Sequence, residues 1–239
     1  MPAVNERAWE YVLRSVEADL LSGALKPGDR LPPERALAAD LSVGRSSVRE
    51  AFRVLEVLGL IRTASGSGPQ AGAIIVATPS GGMSALMRLQ VAATGFAVAD
   101  IVSTRLLLET SVVAELAATD ADLASPRQLL SAMDSPGLTE AEFLALDAQF
   151  HLSLAEASGN AVVAAMMAGL RSSIEGYVLQ AVPNLTSWDT TCSRLRREHA
   201  AILAAIGARD APAARGLVHD HITRYYAESH LTDVTPSVA

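Results

Sequence analysis

LPPERALAADLSVGRSSVREAFRVLEVLGLI, residues 31–61, reads as two short helices joined by a tight turn. Pro32-Pro33-Glu34 marks a helix start, because proline is tolerated where its missing N–H would have no partner and an acid there suits the helix dipole. Leu37 and Leu41 follow at helical spacing and face inward. Ser42-Val43-Gly44 interrupts the pattern. A second helix then carries Val48, Ala51, Phe52, Leu55 and Leu58 on one face, and Arg45, Arg49 and Arg53 on another. Charges opposite an apolar stripe are the default for any surface helix. Here, however, so short a turn between two helices is the helix-turn-helix pattern, and Arg45 and Arg49 stand in the first turns of its second helix, where that motif meets base edges.

The surrounding residues complete a small DNA-reading domain. Trp9, Val12, Leu13, Val16, Leu20 and Leu21 make a preceding helix over residues 4–22, closed by Ser22-Gly23. Beyond Leu60-Ile61, a Gly-rich tip between Arg62-Thr63 and Ala73-Ile74-Ile75-Val76 gives the two short strands of a hairpin. Thr78-Pro79-Ser80-Gly81-Gly82 has the composition of a linker. The expected division is therefore 1–78 and 79–239.

Charge supports that division. The chain of 239 residues carries a formal net charge of −7, which argues against a uniformly basic nucleic-acid binder. Residues 1–78 hold 9 basic and 9 acidic side chains, so the acidity lies in the second part, and any DNA-facing patch is local. Arginine supplies all the cations but Lys26, which suits bidentate contacts to guanine or phosphate. Cys192 stands alone, excluding an intrachain disulfide, and the charged start MPAVNERAWEYV lacks the apolar region of a signal peptide. A cytoplasmic protein without a membrane segment is expected.

After residue 79 the spacing is helical throughout: 83–94, 98–119, 126–134, 139–157, 160–181, 189–208 and 210–230. The expected fold is mainly α, an N-terminal winged helix-turn-helix with a short β-hairpin wing followed by an all-α bundle of six or seven helices. Four polar side chains fall on faces that should be buried. Asp147 and His151, four apart, share a face with Phe143, Leu146, Phe150 and Leu154; His199 lies among Leu195, Ile202, Leu203 and Ile206; His221 lies among Leu217, Val218, Ile222 and Tyr225. Burying a carboxylate and three imidazoles without partners would cost several kcal/mol, so they either bond one another or share a cation.

Two resemblances bear on these residues. Arg35-Ala36-Leu37-Ala38, with the run from Val43-Gly44-Arg45-Ser46-Ser47-Val48-Arg49 through Leu58-Gly59-Leu60-Ile61, resembles the winged helix-turn-helix of GntR-family bacterial transcription regulators. That resemblance implies DNA contacts from Arg35, Arg45 and Arg49, and a wing tip at Gly66-Ser67-Gly68 reaching toward the minor groove. The family usually has serine where Gly44 stands and often proline where Ser47 stands, so the phosphate contact or helix cap of the turn is expected to be either lost or moved to Ser46. Asp147-Ala148-Gln149-Phe150-His151, with Ser158-Gly159-Asn160, His199 and His221, resembles the FCD ligand-binding domain of the FadR-like subgroup. Its metal-binding members imply a divalent ion on Asp147, His151, His199 and His221, zinc first, with nickel, manganese or iron as alternatives. Asn160 is expected to end a helix, and His219 and His230 to be solvated. Arg105 and Glu109, in RLLLE, match the start of the same domain: read alone they make a surface ion pair, whereas the resemblance implies that Arg105 faces a cavity and pairs an effector carboxylate.

The sequence thus describes a homodimeric regulator that binds double-stranded operator DNA under the control of a small carboxylic acid held at a metal site, the dimer following from operator symmetry. A metal-dependent enzyme using the Asp/His cluster is the rival reading, although no second metal motif or general base accompanies it.

Overall fold

The computed structural model describes residues 6–64, 72–76 and 96–229, with isolated positions between 82 and 93. The chain forms two compact units, Met1–Ala85 and Leu86–Ala239. The wing tip with Gly66, the linker around residue 79 and most of the helix expected over 83–94 lie outside the described residues.

In the first unit, α1 (Ala8–Ser22), α2 (Glu34–Asp40) and α3 (Arg45–Val57) precede β1 (Ile61–Ala64) and β2 (Gly72–Ile75). Gly23 ends α1 in the left-handed region, at φ 76°, where glycine has no Cβ to clash. Between α2 and α3 the chain turns through Ser42, whose φ of 55° lets the second helix start at once in a new direction. The strands pair antiparallel from Ile61 opposite Ile75 to Ala64 opposite Gly72, and Arg30 bridges to Ile74. Val12, Val16, Leu37, Val48, Ala51, Phe52, Leu55, Ile61 and Ile75 form one core. Two residues assigned inward are not. Leu58 is 39% exposed, because it caps α3 and the apolar stripe stops where the helix does; Leu21 is 83% exposed, a full 100° around α1 from Leu20.

The second unit contains α4 (Val98–Ala118), α5 (Ala124–Met133), α6 (Glu140–Ala157), α7 (Ala161–Ala181), a single 3-10 turn (Val182–Asn184), α8 (Trp188–Gly207) and α9 (Ala211–Glu228). Beyond residue 96, the described residues contain no strand. Pro126, the first residue of the helix expected over 126–134, falls within the first turn of α5, where no N–H is needed, so the helix begins two residues earlier. Asn160 ends the gap before α7 as expected, its side chain accepting from the backbone N–H of Val162 and Val163. No single helix among the described residues is long and apolar enough to cross a membrane.

Helix α4 packs against α6, α8 and α9, so these four surround one interior. Phe143, Phe150, Leu154, Leu195, Ile202 and Ile222 fill it, and Trp188 meets Phe143 edge to face at 5.6 Å. The register of α6 is fixed at its first turn by a capping box: Thr139 accepts from the Glu142 N–H while the Glu142 carboxylate accepts from the Thr139 N–H and hydroxyl. Because α6 carries Asp147 and His151, this cap anchors the start of the helix that presents both. Thr139→Ala is expected to lower stability by about 1 kcal/mol in urea denaturation of the full chain; an unchanged midpoint would show that the box holds nothing.

Candidate functional site

Two faces of the molecule carry the chemistry singled out from sequence. On the first unit, α3 buries Val48 and Ala51 completely and leaves Arg45, Arg49 and Arg53 exposed, with Ser46 exposed in its first turn and Arg35 exposed on α2. The stripe is real, but one member is occupied: Arg49 donates from Nη2 to Glu34 Oε2 at 2.9 Å. Gly44 is the N-cap of α3 and supplies no side-chain acceptor, nor does Ser46 act as a cap. No acid stands in that first turn either, so its N–H groups and the positive end of the dipole face outward beside Arg45, an arrangement suited to a DNA phosphate. Gly66 lies outside the described residues.

Inside the second unit, the four inward polar groups converge. Asp147 and His151 on α6, His199 on α8 and His221 on α9 are 5%, 2%, 0% and 3% exposed. Each offers one donor atom, and the four atoms all lie within 4.8 Å of one another. His151 Nε2 is 3.1 Å from His221 Nε2, and His199 Nε2 is 3.1 Å from Asp147 Oδ1. Two ligands bound to one ion at about 2.0–2.1 Å would stand about 2.8–3.4 Å apart for octahedral to tetrahedral angles, so these edges already have coordination spacing. Direct hydrogen bonding does not account for the cluster. His151 Nδ1 and both ring nitrogens of His199 complete no hydrogen bond, even though carboxylate oxygens approach to 2.5 and 3.1 Å. The distances are short, but the directions are not those of hydrogen bonds. These residues could hold a metal ion, with three imidazole nitrogens and one carboxylate oxygen as donors.

Outside the four donors, two carboxylates hold two of the rings. Glu109 on α4 places Oε2 2.5 Å from His151 Nδ1, and Glu198 on α8 places Oε2 3.0 Å from His221 Nδ1. Each leaves Nε2 turned to the centre, the arrangement by which an outer carboxylate orients a ligating imidazole. Both acids are themselves held by the arginine four residues earlier: Arg105 Nε donates to Glu109 Oε1 at 2.8 Å, and Arg194 Nη1 donates to Glu198 at 2.8 Å. Glu109 and Glu198 were missed as functional residues. Their signal was present in the parallel segments RLLLE and RLRRE, an arginine and a glutamate one helical turn apart.

The Arg105–Glu109 pair is not at the surface. Both side chains are about 95% buried, and Arg105 also donates to the Tyr226 hydroxyl at 3.4 Å. Burial alone would raise the Glu109 pKa, but the charges of Arg105 and His151 outweigh it and hold the carboxyl down at about 2. Asp147 is likewise held well below the carboxylate range, burial being overcome by the close approach of His199 and by the surrounding imidazoles. A cavity of about 10 Å³ lies between Arg105, Asp147, His221, Tyr225 and Tyr226, room for about one water-sized occupant. His219, by contrast, is exposed beside Asp220, and His230 lies outside the described residues.

A winged helix-turn-helix joined to a helical unit with a polar interior defines the class, a DNA-binding transcription regulator. The family models agree with both halves: "Bacterial regulatory proteins, gntR family" matches residues 10–69, and "FCD domain" matches residues 100–224. The chain belongs to the GntR family, in its FCD-bearing, FadR-like subgroup. It is 31% identical to the Uxu operon transcriptional regulator of Escherichia coli K12, with 91% of this chain and 84% of that protein covered. It is also 31% identical to the HTH-type transcriptional regulator LutR of Bacillus subtilis, covering 84% of this chain and 92% of the relative. Among solved structures, Streptococcus agalactiae GntR superposes with a TM-score of 0.63 at 26% identity, over 90% of this chain and 98% of that one. Relatives and domains alike are regulators, so the enzyme reading is set aside.

The cluster also sets a pH dependence. Burial first, and then the neighbouring His199, push His221 down to about 4 from its ordinary 6.5, against the pull of Glu198. Between those values the unfolded chain binds more protons than the folded one, so stability present above 6.5 is lost as pH falls toward 4. Glu109 acts in the same sense at lower pH, its contribution lost as pH falls from 4.5 toward 2. Metal-free protein should therefore be less stable at about pH 4.5 than at about pH 7, by on the order of 3 kcal/mol from His221 alone. Urea titrations at the two pH values check this, and His221→Gln should flatten the difference.

Proposed function

We propose that the helical unit binds a divalent metal ion through Asp147, His151, His199 and His221, that a small hydroxy- or dicarboxylic acid binds beside it, and that the acid changes operator affinity. The observation that carries this reading is the convergence of four buried donor atoms, all within 4.8 Å of one another, with neither ring nitrogen of His199 hydrogen-bonded. Zinc is the first candidate, with nickel, manganese or iron as alternatives, because three imidazoles and one carboxylate suit any of them. Bound there, the ion would supply a Lewis-acidic centre for an anionic ligand.

Arg105 is the residue we assign to the acid's carboxylate. It lines the same cavity as Asp147 and His221, and its guanidinium is kept protonated by Glu109 despite burial. A neutral sugar or an amine would offer that charge nothing to balance. Since the cavity has room for only about one water, an acid must part Tyr225 and Tyr226 on α9 from Arg105 on α4. Such a ligand favours one packing of these helices over another, and differential affinity of that kind is what shifts an equilibrium. Operator recognition falls to Arg35, Arg45, Ser46, Arg49 and the wing tip at Gly66, in a homodimer that matches a two-fold operator. A protein of this kind works in the cytoplasm, where operator and acid are both at hand.

On DNA, Arg45→Ala should cost roughly 1–3 kcal/mol on the operator and relax preference at one base pair. Arg49→Ala should weaken binding as well; gel-shift titrations at fixed salt in which both variants match wild type would remove α3 from the groove. For the metal, free ion at a thousandfold its dissociation constant should stabilise the protein by about 4 kcal/mol. Chelation should lower the melting temperature, and His151→Ala should abolish that response together with the bound metal. Protein purified from metal-replete medium without stoichiometric metal counts against the site. Calorimetry with a panel of acids should then find one whose binding needs the metal and weakens in Arg105→Ala while metal content is unchanged.

A further inference from the structure

The acid-binding arginine and a metal-binding histidine share one carboxylate. Arg105 Nε donates to Glu109 Oε1 at 2.8 Å, while Glu109 Oε2 lies 2.5 Å from His151 Nδ1, and the Arg105, Glu109 and His151 side chains are 4%, 5% and 1% exposed. The other arginine–glutamate–histidine chain differs in a way that matters. Glu198 is shared among Arg194, Arg224 and His221, and Arg194 reaches a second acid, Glu228. Redundant partners and a partly exposed setting make that chain a stiff support. Glu109 has no such reserve: among the described residues its charge is divided between Arg105 and His151 alone.

We infer that Glu109 is the positioning residue that links acid binding to metal binding, by transferring its charge from Arg105 to His151 when an acid claims the arginine. This rests on the metal and acid sites proposed above. An incoming carboxylate competes with Glu109 for the guanidinium, and the displaced share of negative charge then falls on His151 Nδ1. Coulomb attraction needs no particular direction, so the present off-line approach of Oε2 to the ring does not prevent it. Greater negative charge at Nδ1 makes Nε2 a stronger electron-pair donor toward the centre. The sign follows: an acid tightens the metal, and by reciprocity the metal tightens the acid by the same factor.

The test measures Zn²⁺ affinity of the full chain by competition with a chromophoric chelator, with and without acetate, a small monocarboxylate probe that binds zinc weakly in solution. In the wild type, acetate should tighten Zn²⁺ by roughly 5- to 150-fold, the usual range of coupling between sites. Glu109→Gln should bind Zn²⁺ about 10- to 100-fold more weakly without acetate and lose the acetate effect. A loss of packing alone would lower affinity without touching that linkage. In Co²⁺-loaded protein, acetate should still move the visible spectrum of Glu109→Gln, because Arg105 and the metal ligands remain. Should Glu109→Gln fail to fold with Arg105 left unpaired, Glu109→Asp keeps a charge beside Arg105 but is one methylene too short to reach both partners, and should show a reduced acetate effect. The same acetate factor in variant and wild type overturns the role of Glu109 while leaving the metal site standing. Wild-type protein that takes up no metal overturns the site and the linkage together.

Discussion

Everything in the helical unit is arranged around a cost that cannot be avoided: a carboxylate and three imidazoles withdrawn from water. Asp147, His151, His199 and His221 come from three helices, and α4 closes over them with two further charges, Arg105 and Glu109. An isolated buried charge destabilises a fold by several kcal/mol, so each of these groups constrains where the next must be. The constraint reaches outward. Glu109 must accompany Arg105, Glu198 must meet His221, and α9 must lie along α4 closely enough for Tyr226 to accept from Arg105.

The apolar residues supply stability in the ordinary way, but they do not choose this arrangement over a neighbouring one. Phe150 is wholly buried with its ring 4.7 Å from that of His199, and Leu154, Leu195 and Ile222 would pack as well after a small slide of one helix. A slide of one residue would carry Asp147 or His221 away from its partners. The polar cluster therefore fixes registry, while the capping box of α6 and the other helix ends fix where each register begins. A switch built on such a cluster has its two states defined by which polar partners are matched, not by how much apolar area is buried.

Much of this was legible in the chain. Helical spacing located α4 to α9 to within a few residues, and the placement of Asp147, His151, His199 and His221 among leucines and isoleucines foretold their burial. Periodicity reports which face points inward, so it served wherever a helix continued. It failed at ends: Leu58 kept the spacing but sat past the last helical turn, and the helix expected to begin at Pro126 begins two residues before it. Spacing also says nothing of depth. By spacing alone Arg105 and Glu109 read as an exposed pair, because an arginine and glutamate one turn apart usually are; the cavity-facing role of Arg105 came from the family resemblance, and the helices packed on α4 bury both. Glu198 was overlooked for a related reason, since its partner His221 is distant in sequence and belongs to another helix.

The pair between Arg49 and Glu34 has a consequence for how the protein searches a genome. Attraction to random DNA comes from cations that displace condensed counterions at phosphates, and each such contact steepens the dependence on salt by about one unit. A guanidinium that already has a carboxylate beside it contributes little to that attraction. Were Arg49 to turn its Nε–Nη2 edge to a base or phosphate, it would first leave Glu34, and that exchange of partners is repaid only where DNA presents acceptors in the right geometry. Binding to arbitrary sequence should thus respond to salt less steeply than the number of arginines on α3 suggests, leaving more of the protein free to sample other sites.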